Sequence, residues 1–258
     1  MKVVIFAGGL GSRLSEETSV RPKPMVEVGG MPIIWHIMKI YSFYGFTDFV
    51  ICLGYKGYVF KEFFLNYFGH KSNLKIDLQK NNIEYSDSDS EPWKIELVDT
   101  GLHTMTGGRL ARVKDYIDTD QFLLTYGDAV TDLPINRVVD QHLRSDNLLT
   151  LTAVHPPARF GHLVLDDDHK KVVAFKEKDK SSTGLINGGF FVVDKRVIDC
   201  IDSDDCVWEE GPLDRLTKER KLGAFVHQGF WQPMDTIYER NYLEKLWLED
   251  DCPWRVWG

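Results

Sequence analysis

The sequence predicts an α/β fold, one domain with a small β excursion, on three observations. Largely apolar five-residue runs recur at Val3–Ala7, Phe49–Leu53 and Phe122–Tyr126, with helix-patterned segments between them. Runs of that length, each followed by glycine (Gly8, Gly54, Gly127), read as buried strands that deliver the chain into loops. Beyond about residue 155 the alternation gives way to short strands at about 162–165 and 171–176 around Asp166-Asp167-Asp168, a hairpin turn and not a metal cluster. The 258 residues are 43% hydrophobic, enough for one large core. With no internal repeat and no linker, residues 1–258 read as a single domain.

The first strand runs into Gly8-Gly9-Leu10-Gly11-Ser12-Arg13. Amides without side chains in the way converge on an anion as a nest, so this loop suits phosphate. Arg13 supplies a forked donor, and Lys23, within Arg21-Pro22-Lys23-Pro24, a compact positive charge. A dinucleotide fingerprint would need Gly or Ala at position 14 and a helix directly after it. Leu14 stands there, and Pro22 and Pro24 interrupt the next ten residues. The Gly-Lys-Ser/Thr of an ATPase loop is missing too.

Met25–Val28 is a short extended piece stopped by Gly29-Gly30. Pro32 suits the first turn of a helix whose face carries Ile33, Ile37, Tyr41 and Tyr44, with Gly45 as its stop. A second helix, aromatic and core-facing, spans about 58–68. Residues 70–93 are less regular, and Ser86–Pro92 is polar and acidic, a solvated loop. Lys94–Asp99 alternates like a half-exposed strand. Thr106 is placed to cap a helix reaching about Ile117, and Gly107-Gly108-Arg109 at its start forms a second candidate anion or base contact. Asp128, after Gly127 at the carboxyl end of a central strand, sits where ligands bind in such sheets and is a metal-ligand candidate. A helix at 135–144, a strand at 148–154, helical segments at 195–201 and 212–220, a strand near 223–227 and a terminal helix to about Leu248 complete the pattern.

A formal net charge of −8 argues against a nucleic-acid or anionic-membrane surface. Cys52, Cys200, Cys206 and Cys252 form no C-x-x-C pair, so neither a disulfide framework nor a zinc site is expected and the chain reads as reduced and cytoplasmic. Five apolar residues before the first glycines are too few for a signal peptide, and no segment is long enough to span a membrane.

Gly8–Leu14 with Arg21–Met25 resembles the signature of the sugar-1-phosphate nucleotidyltransferases. Gly127-Asp128, Glu177-Lys178 and Asn187-Gly188-Gly189 match further family positions in order. Trp35–Lys39, Gly54–Tyr58, Glu91–Trp93, Val98–Gly101, Met105–Arg109 and Gly229–Thr236 resemble the branch that uses CTP and glucose 1-phosphate, and the likeness covers essentially the whole chain. It implies a three-layer, Rossmann-like nucleotide-diphospho-sugar transferase fold with a mixed, mainly parallel central sheet. It also implies the reaction CTP + α-D-glucose 1-phosphate → CDP-glucose + pyrophosphate, Mg²⁺ held by Asp128 and Asp235, and a homo-oligomer. Residues 1–155 would mainly bind nucleotide, with Gly8, Gly9, Gly11, Ser12, Arg13, Lys23, Arg109 and Asp128 around CTP. Residues 156–258 would mainly bind the sugar phosphate, through Glu177, Lys178, Asn187, Gly188 and Asp235. Two positions depart from the family: Met31 replaces a Lys, and Asp179 replaces the Pro after Lys178.

These residue types suit the chemistry. A phosphate monoester is already a nucleophile, so no Ser-His-Asp arrangement is needed. Catalysis is positioning plus charge stabilisation, with Lys23, Arg13 and the metal at Asp128 as its agents. The competing readings are the same chemistry with UTP, dTTP or another sugar 1-phosphate, and a non-catalytic nucleotide-sugar binding subunit.

Overall fold

The computed structural model describes residues 1–11, 14–157, 162–165, 171–176 and 184–258. In chain order it begins with β1 (Val3–Phe6), α1 (Ser15–Thr18), the ribbon β2 (Glu27–Val28) and β3 (Met31–Pro32), α2 (Ile33–Phe43), β4 (Asp48–Leu53) and α3 (Gly57–His70). The hairpin β5 (Asn73–Asp77) and β6 (Asn82–Ser86) comes next, then β7 (Lys94–Asp99), α4 (Thr106–Arg112), β8 (Gln121–Tyr126), β9 (Ala129–Thr131), α5 (Ile135–Leu143) and β10 (Leu149–Val154). The remainder is β11 (His162–Leu165), β12 (Val172–Lys176), β13 (Ile186–Asn187), β14 (Phe191–Asp194), α6 (Asp214–Lys218), β15 (Leu222–His227), β16 (Trp231–Pro233) and α7 (Ile237–Leu248).

The central sheet has eight strands and is mixed. β7, β4, β1 and β8 are parallel neighbours, β14 joins β8 antiparallel, and β10 lies between β14 (antiparallel) and β15 (parallel). The period of two sends alternate side chains into two cores. Val3, Ile5, Phe49, Ile51 and Leu123 meet α2, α5 and α7 on one face. Val4, Phe6, Val50, Cys52 and Leu124 meet α4, α6 and Trp208 on the other. The result is the expected three-layer arrangement. β13 pairs with the Ala153–Val154 end of β10 and β14 with the Leu149–Thr150 end. The register slips between them, where Gly189 (φ +78°) and Phe190 (φ +48°) bulge.

Three local expectations change. The 70–93 segment holds the β5–β6 hairpin: Leu74 and Ile76 alternate with polar residues and stand opposite Tyr85 and Ile83, although both strands are exposed. Within the acidic run, Glu91 is engaged by Lys39 and Tyr67 and is not a solvated charge. Thr106 does not cap its own helix: its Oγ1 accepts from the Trp208 amide at 2.9 Å, and α4 ends at Arg112, succeeded by a separate 3₁₀ turn at Lys114–Tyr116.

The C-terminal segment is locked to α2 through His36. Its Nε2 donates to the Val28 carbonyl at 2.8 Å, while Nδ1 accepts from Trp254 Nε1 at 3.4 Å. Burial pushes this imidazole down to about 4, and protonating Nδ1 would oppose two N–H donors. The folded pKa lies below the unfolded value of about 6.5, so the stability this histidine contributes is complete above pH ~6.5 and lost as pH falls towards 4. Urea unfolding at pH 7.5 and 4.5 should show the wild type losing roughly 2–3 kcal/mol more than His36→Gln. Equal losses would refute the assignment.

Candidate active site

The glycine loop after β1, the turn at Lys23 and the end of β8 enclose a cavity of about 510 Å³. Gly8, Gly9, Gly11, Lys23, Arg109 and Asp128, six residues singled out by the sequence, line it. Gly9 has open space where a Cβ would sit, as a backbone presented to a ligand requires. Gly8 is glycine for another reason: a Cβ there would stand 2.1 Å from Arg109 Nη1. Gly11 adopts φ +64°, and a Cβ on it would come 3.2 Å from that of Lys23.

Lys23 lies in a 3₁₀ turn between Pro22 and Pro24. Its Nζ donates to Asp128 Oδ2 at 2.6 Å and to Asp235 Oδ1 at 2.5 Å. Burial opposes the ammonium's charge, but the Asp128 and Asp235 carboxylates outweigh it and hold its pKa above the ordinary lysine value. Asp235 reaches this point through the β9–β16 ribbon, in which Pro233 pairs with Ala129 and the Met234 amide donates to the Asp128 carbonyl at 2.8 Å. Glu239, buried in the first turn of α7, then accepts from the Asp235 and Thr236 amides at 2.7 and 2.9 Å, within a capping box.

Arg109 is 4% exposed and heavily committed to its neighbours. Nη1 donates to Leu53 O, Thr100 Oγ1 and Gly101 O, and Nη2 to Gly8 O and Leu102 O, at 2.8–3.3 Å. Burial lowers its pKa. The side chain thus ties the glycine loop to the 100–102 segment, and both border the cavity. The amides of Gly107 and Gly108 donate to the Cys206 carbonyl, which corrects the expectation that this helix start offers free donors to an anion. These glycines serve close packing: Cβ atoms on them would come 2.7 Å from Cys206 O and 2.5 Å from Asp204 O.

Asn187 and Gly188 come to the same end of the sheet. Asn187 Nδ2 donates to Tyr126 Oη at 3.3 Å, its Oδ1 accepts from the Gly189 amide at 2.9 Å, and Trp231 Nε1 donates to Gly188 O at 2.8 Å. Tyr126 in turn donates to Glu209. Ser12, Arg13, Glu177 and Lys178 lie outside the described residues. The sequence alone assigns no role to Tyr126, Thr104 or Glu239, although Thr104 and Tyr126 line the cavity. The Thr236-x-x-Glu239 spacing is a readable capping signal; the 102–105 loop carries no pattern that marks it.

Asp128 and Asp235 converge on one cation, here the Lys23 ammonium. Two convergent carboxylates fit a hard divalent ion that takes its other ligands from phosphate oxygens and water. Among the described residues no group of three or more His, Cys, Asp or Glu could hold a metal, and no helix is long and apolar enough to cross a membrane.

The nucleotidyl transferase family matches residues 2–231 of the chain. The glucose-1-phosphate cytidylyltransferase of Salmonella typhi is 54% identical over 258 residues, all of both chains. A probable glucose-1-phosphate cytidylyltransferase of Bacillus subtilis is 40% identical over 258 residues, again all of both. Among solved structures, HddC of Yersinia pseudotuberculosis complexed with GMP-PN superposes with a TM-score of 0.69 at 25% identity, covering 95% of this chain and 99% of that one.

Proposed function

The chain belongs to the nucleotidyl transferase family, and we propose that it transfers a cytidylyl group from CTP to α-D-glucose 1-phosphate, giving CDP-glucose and pyrophosphate. The observation that carries the choice of substrates is 54% identity along the full length to a glucose-1-phosphate cytidylyltransferase. The site supports the reaction type: a glycine loop and an ammonium border one cavity, beside two carboxylates and within reach of a second substrate edge at Asn187.

In this reading Gly8, Gly9, Gly11, Ser12 and Arg13 hold the triphosphate, and Arg109 fixes the Gly8 carbonyl and the Leu102 segment against the base. Glu177, Lys178, Asn187 and Gly188 hold the sugar phosphate. Its oxygen attacks the α-phosphorus in line, and pyrophosphate leaves with the bonding electrons. Lys23 and Arg13 stabilise the charge on the phosphate oxygens during that exchange. Asp128 and Asp235 are the metal ligands, for Mg²⁺ by preference, since it keeps waters and takes one or two carboxylates plus substrate phosphates. When bound, the ion neutralises phosphate charge.

A homo-oligomer belongs to the same reading. On the β5–β6 hairpin Leu74 stands opposite Tyr85 and Ile76 opposite Ile83, all four exposed, and an exposed apolar face of this kind suits a subunit contact. Light scattering should give a multiple of 29.7 kDa; a monomer would overturn it.

Pyrophosphate release with CTP, UTP, dTTP, ATP and GTP, each with glucose 1-phosphate and Mg²⁺, tests the function. Strong preference for CTP is expected. Turnover with a different nucleotide would overturn the base assignment, and silence with all five would overturn the substrate pair.

A further inference from the structure

We infer that Lys23 is the resident counter-ion of the metal site, so that a divalent ion can enter between Asp128 and Asp235 only as the lysine moves out towards the glycine loop. The inference rests on the reading of these two carboxylates as the metal ligands. Its basis is the shared geometry: Lys23 Nζ contacts Asp128 Oδ2 at 2.6 Å and Asp235 Oδ1 at 2.5 Å, with the side chain 11% exposed. A Mg²⁺-sized ion takes such oxygens at about 2.0–2.1 Å, so ion and ammonium cannot both sit between the same two atoms. Two cations this close also repel by several kcal/mol at the effective dielectric of a protein surface.

The lysine has somewhere to go. Its Cβ lies 3.2 Å from where a Cβ on Gly11 would stand, and it borders the same cavity as Gly8, Gly9 and Gly11. Four rotatable bonds from that pivot let the ammonium reach either the carboxylates or an anion in the loop. A triphosphate in the loop supplies that anion. Nucleotide binding and metal entry are therefore coupled through one side chain, and the protein without nucleotide takes up metal poorly.

The test is Mn²⁺ binding by electron paramagnetic resonance, without nucleotide or sugar phosphate. Lys23→Met should bind Mn²⁺ at least ~10-fold more tightly than the wild type, because the competing charge is gone while both carboxylates stay. Adding Asp235→Asn should abolish that gain. If the methionine variant does not fold, Lys23→Gln allows the same comparison. Unchanged or weaker Mn²⁺ binding overturns the inference, as does a gain that survives Asp235→Asn. Because no nucleotide is present, the outcome is independent of which nucleotide the enzyme uses.

Discussion

Lys23→Ala is expected to lower kcat/KM for pyrophosphate release by at least ~100-fold, the usual consequence of removing one preorganised charge-stabilising donor. No other described lysine borders the cavity. Its ammonium is held in place by two carboxylates, so it costs no reorganisation beyond its own swing to the phosphates. Initial rates over a range of CTP concentrations at saturating sugar phosphate, with circular dichroism to confirm folding, check the outcome. A near-normal rate would remove Lys23 from the mechanism, whichever nucleotide the enzyme prefers. The same substitution is expected to improve metal uptake by the free protein, so activity and metal affinity move in opposite directions. A generally damaged site would lose both.

Arg109→Ala is expected to cost stability and nucleotide affinity together. The side chain supplies donors to Gly101 O and Leu102 O, shares Gly8 O with the Tyr55 amide, and fills the space beneath Gly8 and Gly54. Removing it leaves buried acceptors short of partners and opens a cavity, a loss on the order of 3 kcal/mol. For a chain of this size that lowers Tm by roughly 6–12 °C. Because the loosened segments are the walls of the cavity, KM for the nucleotide should rise as well. Arg109→Lys should recover little, since three donors on a point charge cannot span acceptors set around a planar fork. A Tm within about 2 °C of wild type for Arg109→Ala would show that these bonds are not what holds the loop.

Much of this molecule is legible in the chain itself, wherever the determining interaction is local. Val3–Phe6, Asp48–Leu53 and Gln121–Tyr126 are strands because short β-branched and aromatic runs bounded by glycine have few other ways to be buried. Pro22 and Pro24 hold Lys23 in a tight turn, and the stretch from Thr236 to Glu239 carries its own capping box. The family resemblance points to Asp128, Asp235 and Lys23, and the fold brings those three into contact.

Other features depend on partners distant in the chain. Asp235 meets Asp128 because β16 pairs with β9 in one register, and a slip of one residue would turn its carboxylate away. Gly8 could be read as a place for a ligand, yet an arginine guanidinium takes the space. Gly107 and Gly108 could be read as an anion site, yet the Cys206 carbonyl takes their amides. The β5–β6 hairpin has a period of two in its sequence, with Leu74 and Ile76 opposite Tyr85 and Ile83, yet no element of the fold buries either of its faces. Backbone preference and polarity are properties of neighbouring residues and can be read in order. Which oxygen receives a given donor is set by the packing of strands and helices far apart in the chain, and that becomes definite only when the sheet has closed around the site.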